Sequence, residues 1–425
     1  MKHRNRSLIL FAAVTVLGIC IALTTPARAD VIADWNVIAI QEAVTAGRPG
    51  GSPAIDFATM HAAMYDAVQA IEQDYEPYRV ADVPNATGSP IAAAAKAARD
   101  VLVFRFPARA DAINTLYVNY LSANNIPTDD PGIAVGAYVA TKLLTYRSCD
   151  GSLPIPAPTF VGGTGIGQWR PTPTAFSPMN PGEYLGQVTP FFMTRPTQFR
   201  SDPPPAVTSM RYARDYQEVK LYGAKIGSLR TPEQTDMANF WAGNTFAAIY
   251  SGVRNVAAAH VDNVSASSRL FALVAMSQAD TIIGVWDNKF HYNYWRPLTA
   301  IRNGDVDGNP ATEGDATWDS LILNPAYPDY SSGANGVSSS ALYSLEHVLE
   351  TDNIEFSMTT TNTGPTNQDT RNYTSFSQAI QEVVDARVLL GIHFRFADEA
   401  SRELGRNVVK WGFKNYLRPR KGPGK

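Results

Sequence analysis

Residues 286–297 read Trp286-Asp287-Asn288-Lys289-Phe290-His291-Tyr292-Asn293-Tyr294-Trp295-Arg296-Pro297, a stretch that puts two cations where a helix is expected to be apolar. The helical stripe that leads into it passes through Ala275, Ala279, Ile282 and Trp286. Continued, that stripe reaches Lys289 and, two turns further, Arg296. An unpaired buried charge costs several kcal/mol, so something must neutralise these cations. Two interpretations stay open: protein carboxylates pair with them, or an anionic ligand does.

The first 29 residues have the pattern of a secretory signal. A basic segment (residues 2–6) precedes an apolar run from Leu8 to about Leu23, and Ala27-Arg28-Ala29 supplies small residues for cleavage. The alternative is an uncleaved anchor, although the run is slightly short for a bilayer span. We expect residues 1–29 to be removed and the protein to be secreted or periplasmic, with no membrane association afterwards. Cys149 is then the one remaining cysteine, which excludes an internal disulfide.

The composition is that of a globular protein rather than a nucleic-acid-binding one. The 425 residues carry a formal net charge of −3, and 45% of them are hydrophobic, so the chain is long enough for more than one core. The basic residues concentrate only in the tail from Arg406 to Lys425, which we interpret as a frayed terminus. No nucleic-acid partner is expected. The oligomeric state is not encoded in any pattern that we recognise.

Helical signals dominate on both sides of a central irregular segment. Apolar spacing predicts a helix over 55–71, in which His61 is expected to be a core residue, and Ser89-Pro90 and Asp130-Pro131 begin two more helices. A capping box at 231–234 begins another, and Ser267 or Ser268 precedes the helix that carries Lys289 and ends at Arg296-Pro297. We therefore divide the chain into an N-terminal helical region (30–150) and a C-terminal helical domain (206–425).

Between them, residues 151–205 are rich in proline and glycine. Their aromatic side chains give this segment much to bury, which a disordered linker lacks: Phe160, Trp169, Phe176, Phe191, Phe192 and Phe199. We predict an ordered segment that wraps across the helices.

The loop 303–309 superficially resembles a calcium site. Its twelfth position is Gly314, where a bidentate glutamate is required, although Glu313 is adjacent. Calcium is possible by this pattern but weakly supported, and a turn rich in Asn and Asp is the alternative.

Two later motifs carry groups suited to an anion. Ser332-Gly333 precedes a predicted helix (337–345), and a hydroxyl with free N–H groups at a helix start forms an anion site. Arg387 and His393 are six residues apart, so a continuous helix would place them about 120° apart in azimuth. Gly391 permits a break that brings both to one site. Taken singly, each motif also fits a purely structural role.

Together, Lys-x6-Arg-Pro at 289–297, Ser-Gly at 332–333 and Arg-x5-His at 387–393 resemble the signature of the vanadium-dependent haloperoxidase and type 2 phosphatidic-acid phosphatase superfamily. The chain looks closest to its secreted bacterial haloperoxidase-like members. That resemblance implies an all-α protein of packed four-helix bundles, whose core holds a tetrahedral oxyanion.

The resemblance also implies roles for individual residues. Lys289, Arg296 and Arg387 would neutralise the oxygens of vanadate, or of phosphate in the same site. Ser332 and the Gly333 N–H would complete the cage. His393 would bond to vanadium in a peroxidase or attack phosphorus in a phosphatase, with Lys289 and Arg387 as further catalytic groups. The implied substrates are small: hydrogen peroxide with a halide and an organic acceptor, or a phosphate ester.

The chain departs from the family pattern at one position. Where the pattern is Ser-Gly-His, with that histidine as acid or base, this chain has Ala334. Losing a positioned acid or base costs on the order of 100- to 10,000-fold in rate. Three functions therefore stay open: a haloperoxidase weakened by Ala334, an acid-phosphatase-like hydrolase, and an oxyanion-binding protein with lost or altered chemistry. Four groups near Ala334 in sequence are candidates to replace the missing acid or base: Asp329, Ser331, Asn335 and His291.

Overall fold

The structure is a computed structural model that describes residues 30–173 and 175–420, so the predicted signal lies outside the described residues. In these ranges the chain is mostly helical. Its helices are α1 (Val31–Thr45), α2 (Pro53–Glu72), α3 (Pro90–Arg105), α4 (Ala110–Ala123), α5 (Pro131–Tyr146), α6 (Met210–Tyr222), α7 (Pro232–Ala242), α8 (Thr245–His260), α9 (Val264–Tyr292), α10 (Pro297–Arg302), α11 (Gly333–Leu349), α12 (Phe376–Leu389) and α13 (Arg395–Asn415). Two short antiparallel strands, β1 (Phe356–Thr359) and β2 (Thr370–Tyr373), pair with Phe356 opposite Tyr373.

Helix α9 joins the two halves of the molecule. On one side it packs against α2, which belongs with α1, α3 and α5 to an N-terminal bundle, and on the other against α11 and α13. Among the described helices α9 alone is long and apolar enough to cross a membrane, but 94% of its apolar window is buried inside the protein. A helix that is apolar nearly all round is a core helix when its neighbours cover it. The prediction of an all-α fold of packed bundles is confirmed.

The helix starts follow the capping signals of the sequence. The Ser89 hydroxyl accepts the Ala92 N–H, the Asp130 carboxylate accepts the Gly132 N–H, and Thr231 and Gln234 form the predicted capping box. Each satisfies donors that the first helical turn leaves without intrahelical partners.

The prediction for α9 is wrong at both ends. The helix begins at Val264 after an Asn263 cap, earlier than Ser267 or Ser268, and it ends at Tyr292 rather than at Arg296-Pro297. Asn293 ends it in the left-handed conformation (φ 47°), which asparagine tolerates better than most residues. Arg296 therefore caps α10 instead of continuing the stripe of Lys289.

The proline- and glycine-rich segment holds the end of α9 in place. Its Trp169 is buried, and the Trp169 N–H donates to the Asn293 carbonyl while the Trp295 N–H donates to the Gly167 carbonyl. Further along, three consecutive N–H groups of residues 191–193 donate to the buried Asp280 carboxylate of α9. The aromatic anchors are buried or half-buried except Phe176, which is 63% exposed, contrary to expectation. These contacts fix the chain that leads into Arg296.

Candidate active site

A cavity of about 320 Å³ opens between the N-terminal bundle and the C-terminal helices. Its walls come from α1, α2, α9, α11 and α12 and from the junction of α7 with α8. The apolar part of its lining includes Phe57, Phe246, Ile282, Trp286 and Val337. The polar part contains Lys289, Gly333, Arg387 and His393, four of the six residues predicted from the sequence.

Lys289 is fully buried and has main-chain partners. Its Nζ donates to the carbonyls of Pro328 at 2.7 Å and Asp329 at 3.0 Å, and it lies 4.9 Å from the centre of the Tyr327 ring. Burial, together with the nearby Arg296 charge, lowers the pKa of Lys289 well below its ordinary value. An ammonium has three donors, so two carbonyl bonds leave one for a group in the cavity.

Arg296 is also fully buried, beside the cavity rather than in its lining. Nε donates to the Tyr327 carbonyl at 2.9 Å and Nη1 to the Ile392 carbonyl at 2.8 Å. Its nearest carboxylate oxygen, Asp329 Oδ1, is 3.5 Å away, and Nη2 has no hydrogen-bond partner in the described part of the protein. A buried guanidinium with an unused donor is suited to an anion.

Arg387 shows the same pattern from the other wall. Nη1 donates to the Trp241 carbonyl at 2.8 Å, whereas Nε is buried and finds no partner among the described residues. Burial lowers the pKa of Arg387, and the charge of Asp398 partly opposes that effect. The cage thus contains three buried cations with donor capacity left over.

The first residues of α11 form the opposite side of the cage. Ser332 is the cap of this helix, but its hydroxyl makes no capping hydrogen bond and has no ordinary partner within residues 30–173 and 175–420. A Cβ added at Gly333 would meet nothing within 4 Å, so a ligand can approach this backbone closely. The helix start adds free N–H groups and a positive dipole end.

His393 reaches the cavity because the predicted break occurs. Helix α12 ends at Leu389, and Gly391 has a φ of 76°, which returns the chain so that His393 lies on the lining with Arg387. His393 Nδ1 lies 2.7 Å from Asp329 Oδ1, and Arg296 Nη1 lies 3.4 Å from Nδ1 and 3.3 Å from Nε2. The carboxylate contact leaves Nε2 as the ring nitrogen available to a group in the cavity.

The electrostatics of the cage favour the neutral form of His393. Burial and then the charges of Arg296, Lys289 and Arg387 lower the pKa of His393 well below its ordinary value. Burial raises the pKa of Asp329 to about 7, although Arg296 and Lys289 oppose this effect. A neutral imidazole presents a lone pair, which a cationic one does not.

Sequence reasoning gave no role to Asp398, which the structure buries fully behind Ser332 and Arg387. Asn335 Nδ2 donates to Asp398 Oδ1 at 2.8 Å. The Ser332 N–H donates to the carbonyl of Ala397, the residue before Asp398. Asp398 lies on the buried stripe of α13, so the argument that singled out Lys289 would also have found it.

Ala334 lines the cavity, but the four groups considered as substitutes do not. Asp329 contacts His393, Asn335 contacts Asp398, and Ser331 accepts a hydrogen bond from Asn288. His291 is exposed at the end of α9.

The calcium-like loop is closed by its own hydrogen bonds. Asp307 accepts the Asn309 N–H and the Thr312 hydroxyl, and Asp305 accepts the Gly314 N–H. In the described residues no group of three or more His, Cys, Asp or Glu side chains is arranged to hold a metal ion. The arrangement favours the turn interpretation.

Comparison with known proteins finds similarity both in sequence and in fold. A family model described as the VCPO second helical-bundle domain matches residues 269–422, which contain all six predicted site residues. Vanadium chloroperoxidase of Curvularia inaequalis is 26% identical over 184 residues, which cover 35% of this chain and 29% of that relative. The match thus spans less than a third of the relative's length.

Two solved structures are similar over most of the chain. The first bacterial vanadium-dependent iodoperoxidase superposes with a TM-score of 0.76 at 22% identity, covering 92% of this chain and 98% of the other. An apo-type bacterial vanadium-dependent chloroperoxidase superposes with a TM-score of 0.70 at 15% identity, covering 84% and 91%. At these identities the superpositions show the fold. Taken with the family model and the curated relative, they support the resemblance to the vanadium haloperoxidase family that the sequence predicted.

Proposed function

We propose that this protein binds vanadate in the cage of Lys289, Arg296, Ser332, Gly333, Arg387 and His393, and that it oxidises a halide with hydrogen peroxide. Phosphate is expected to occupy the same cage. The observation that carries the proposal is the excess of buried donors: Arg296 Nη2, Arg387 Nε and the Ser332 hydroxyl are buried without ordinary partners in the described residues. Buried donors are rarely left unpaired in native proteins unless a ligand or water completes them.

The charges also favour a bound anion. Three buried cations lie near two buried carboxylates, Asp329 and Asp398, and His393 is neutral. One negative charge from a ligand balances the cage when both carboxylates are ionised, and more is needed when they are protonated. Charges of this kind are costly in a low-dielectric interior unless they are compensated.

Each residue then has a distinct part. Lys289, Arg296 and Arg387 would hold the oxyanion oxygens, Ser332 and the Gly333 N–H would orient it, and His393 Nε2 would bind vanadium. Bound vanadate supplies a Lewis-acid centre that activates hydrogen peroxide towards a halide. Asp329 holds the imidazole through Nδ1, as carboxylates do for metal-binding histidines.

We expect Ala334 to make turnover slower than the family pattern implies, because a methyl group cannot transfer a proton. The same observation favours a second candidate, an oxyanion-binding protein with little turnover. A phosphatase would use the same cage, with His393 as the nucleophile. The secreted or periplasmic location that residues 1–29 predict is part of the proposal.

The test uses the purified protein loaded with orthovanadate. Halide-dependent oxidation by hydrogen peroxide is expected, and it should disappear when vanadate is removed. Hydrolysis of para-nitrophenyl phosphate without peroxidase activity would replace the proposal with the phosphatase. Anion-induced thermal stabilisation with neither activity would leave the binding protein.

A further inference from the structure

The buried carboxyl of Asp398 is the polar group of the cage that the proposed function leaves unused. Asp398 Oδ1 accepts the Asn335 amide at 2.8 Å, but Oδ2 is buried with no ordinary partner in the described part of the chain. The Ser332 hydroxyl, also unpaired, lies near enough to lower the pKa of this carboxyl. The Asp398 Oδ2 oxygen and the Ser332 hydroxyl are thus both buried without a hydrogen bond, to each other or to another described group.

The backbone holds these two residues together. The Ser332 N–H donates to the Ala397 carbonyl at 3.0 Å, which ties the start of α11 to the first turn of α13. Asn335, on the same turn of α11, fixes one carboxyl oxygen and leaves the other free. Ser332 directly precedes Gly333 and Ala334, which line the cavity, so it connects the cavity lining with the start of α13, which carries Asp398.

We propose that Asp398 exchanges protons with an oxyanion in the cage through the Ser332 hydroxyl. This inference rests on the proposed function and assigns the acid–base part that Ala334 cannot perform. Asp398 is a positioning residue in this scheme, since it acts through Ser332.

The proton balance is simple. The Ser332 O–H bond breaks as its proton passes to an anion oxygen, and a new O–H bond forms as the Asp398 Oδ2 proton passes to Ser332 Oγ. The negative charge ends on the Asp398 carboxylate, where the Asn335 N–H and the charge of Arg387 stabilise it. The reverse transfer restores the starting state.

The surroundings favour the protonated form of this carboxyl. Burial raises the pKa of Asp398 well above its ordinary value, and the charge of Asp329 adds to the effect. Arg387, Ser332 and Asn335 act in the opposite direction. Two other cations of the cage interact with Asp398: its negative charge acts to raise the pKa of Lys289 and of Arg296.

The first experiment measures sulfate affinity by calorimetry between about pH 5 and pH 9, because sulfate keeps its charge over this range. Ionised Asp398 repels the anion, so affinity should fall as pH rises through the Asp398 pKa, by roughly tenfold. Asp398→Asn should lose this part of the fall while still accepting the Asn335 bond. Glu399→Gln removes a neighbouring charge that pairs with Arg211 outside the cage, and it should keep the full pH dependence.

Identical pH profiles of Asp398→Asn and Glu399→Gln would overturn the relay. Other cage groups that titrate contribute equally to both variants, so the difference isolates Asp398. If Asp398→Asn fails to fold, the smaller Asp398→Ser gives the same comparison.

The second experiment measures halide oxidation. Asp398→Asn should lose about 100-fold in rate or more, as expected for an acid–base group. Adding Ala334→His to Asp398→Asn should recover at least about tenfold, a rescue that a merely structural role does not predict. A rate for Asp398→Asn equal to that of Glu399→Gln would refute the relay. Absence of oxidation in every variant would refute the proposed function alone, and the sulfate profiles would still decide about Asp398.

Discussion

The N-terminal bundle and the cage both hold cations in the interior, but only the N-terminal cluster pairs each of its cations closely with a carboxylate. Asp56 is fully buried and lies 2.9 Å from Arg48 and 2.5 Å from Arg105. In the cage, Lys289 and Arg387 donate to main-chain carbonyls, and no carboxylate oxygen of the described residues lies within 4 Å of either side chain's nitrogens. Arg296 of the cage has Asp329 Oδ1 at 3.5 Å. In the first cluster both guanidinium groups contact a carboxylate of the protein. The second is left for a ligand to complete.

Two buried histidines repeat this contrast. His61 of α2 contacts the Asn36 amide at 3.1 Å and packs against Phe271, and it does not line the cavity that contains Lys289. His393 has a carboxylate on one nitrogen and lines the cavity. Burial alone therefore does not mark a functional histidine; the partners of the ring do.

The largest expected effect concerns the N-terminal cluster of Asp56 with Arg48 and Arg105. Asp56→Ala should lower the free energy of unfolding by about 3–5 kcal/mol, because it leaves the buried Arg105 guanidinium and the half-buried Arg48 guanidinium without their carboxylate. Chemical denaturation measures the loss. The exposed Asp129→Ala should change stability by no more than about 0.5 kcal/mol. A similarly small effect for Asp56→Ala would remove the distinction between the clusters.

In the cage, replacing a charged side chain by alanine should weaken ligand binding rather than the fold. Orthovanadate at about 100 times its Kd should stabilise the wild-type protein by about 2.7 kcal/mol, and Arg387→Ala should remove most of this gain. Without ligand, Arg387→Ala should cost less than about 1 kcal/mol, because no carboxylate loses a direct partner. Thermal unfolding with and without vanadate tests both statements, with the exposed Arg406→Ala as control. An unchanged vanadate shift in Arg387→Ala would contradict the assigned cage.

Ala334→His should sharpen the difference between binding and turnover. We expect about a tenfold gain in halide oxidation, equivalent to about 1.4 kcal/mol of barrier, with little change in vanadate affinity. The side chain of Ala334 faces the cavity, so a ring has space there. Rapid halide oxidation by the wild-type protein, unaffected by this substitution, would show that Ala334 limits nothing.

Most of the fold was predictable because its signals are local. Helical periodicity over 55–71 and the capping residues at Ser89, Asp130 and Thr231 each specify an element without long-range information. The end of α9 was not predictable in this way. The left-handed Asn293 accepts a hydrogen bond from the Trp169 N–H, which belongs to a segment more than 100 residues away in sequence. The β1–β2 pair also arises from contacts that no local pattern announced.

The candidate site was predictable only where a residue type is unusual for its position in the sequence pattern. Lys289 was identified because a cation on an apolar stripe needs an explanation, and Gly391 because a turn was needed to bring Arg387 and His393 together. The contact between Asp329 and His393 was not predictable, since a carboxylate in a loop shows no burial pattern.

The smallest expected effect concerns His61 of the N-terminal bundle and the pH dependence of protein stability. Burial lowers the pKa of His61 to about 3, so between that value and the ordinary 6.5 the folded protein binds fewer protons than the unfolded chain. Stability from this group is therefore lost as pH falls, by roughly 1 kcal/mol between about pH 6.5 and pH 5.5. Burial raises the pKa of Asp66 and of Asp280 to about 6, which acts in the opposite direction, but both carboxyls are also present in a His61 variant. Denaturation of His61→Gln and wild type across this range should therefore give curves that diverge by that amount, since glutamine does not titrate. Parallel curves would mean that His61 does not stay neutral and buried, and the contrast with His393 would then lose its basis.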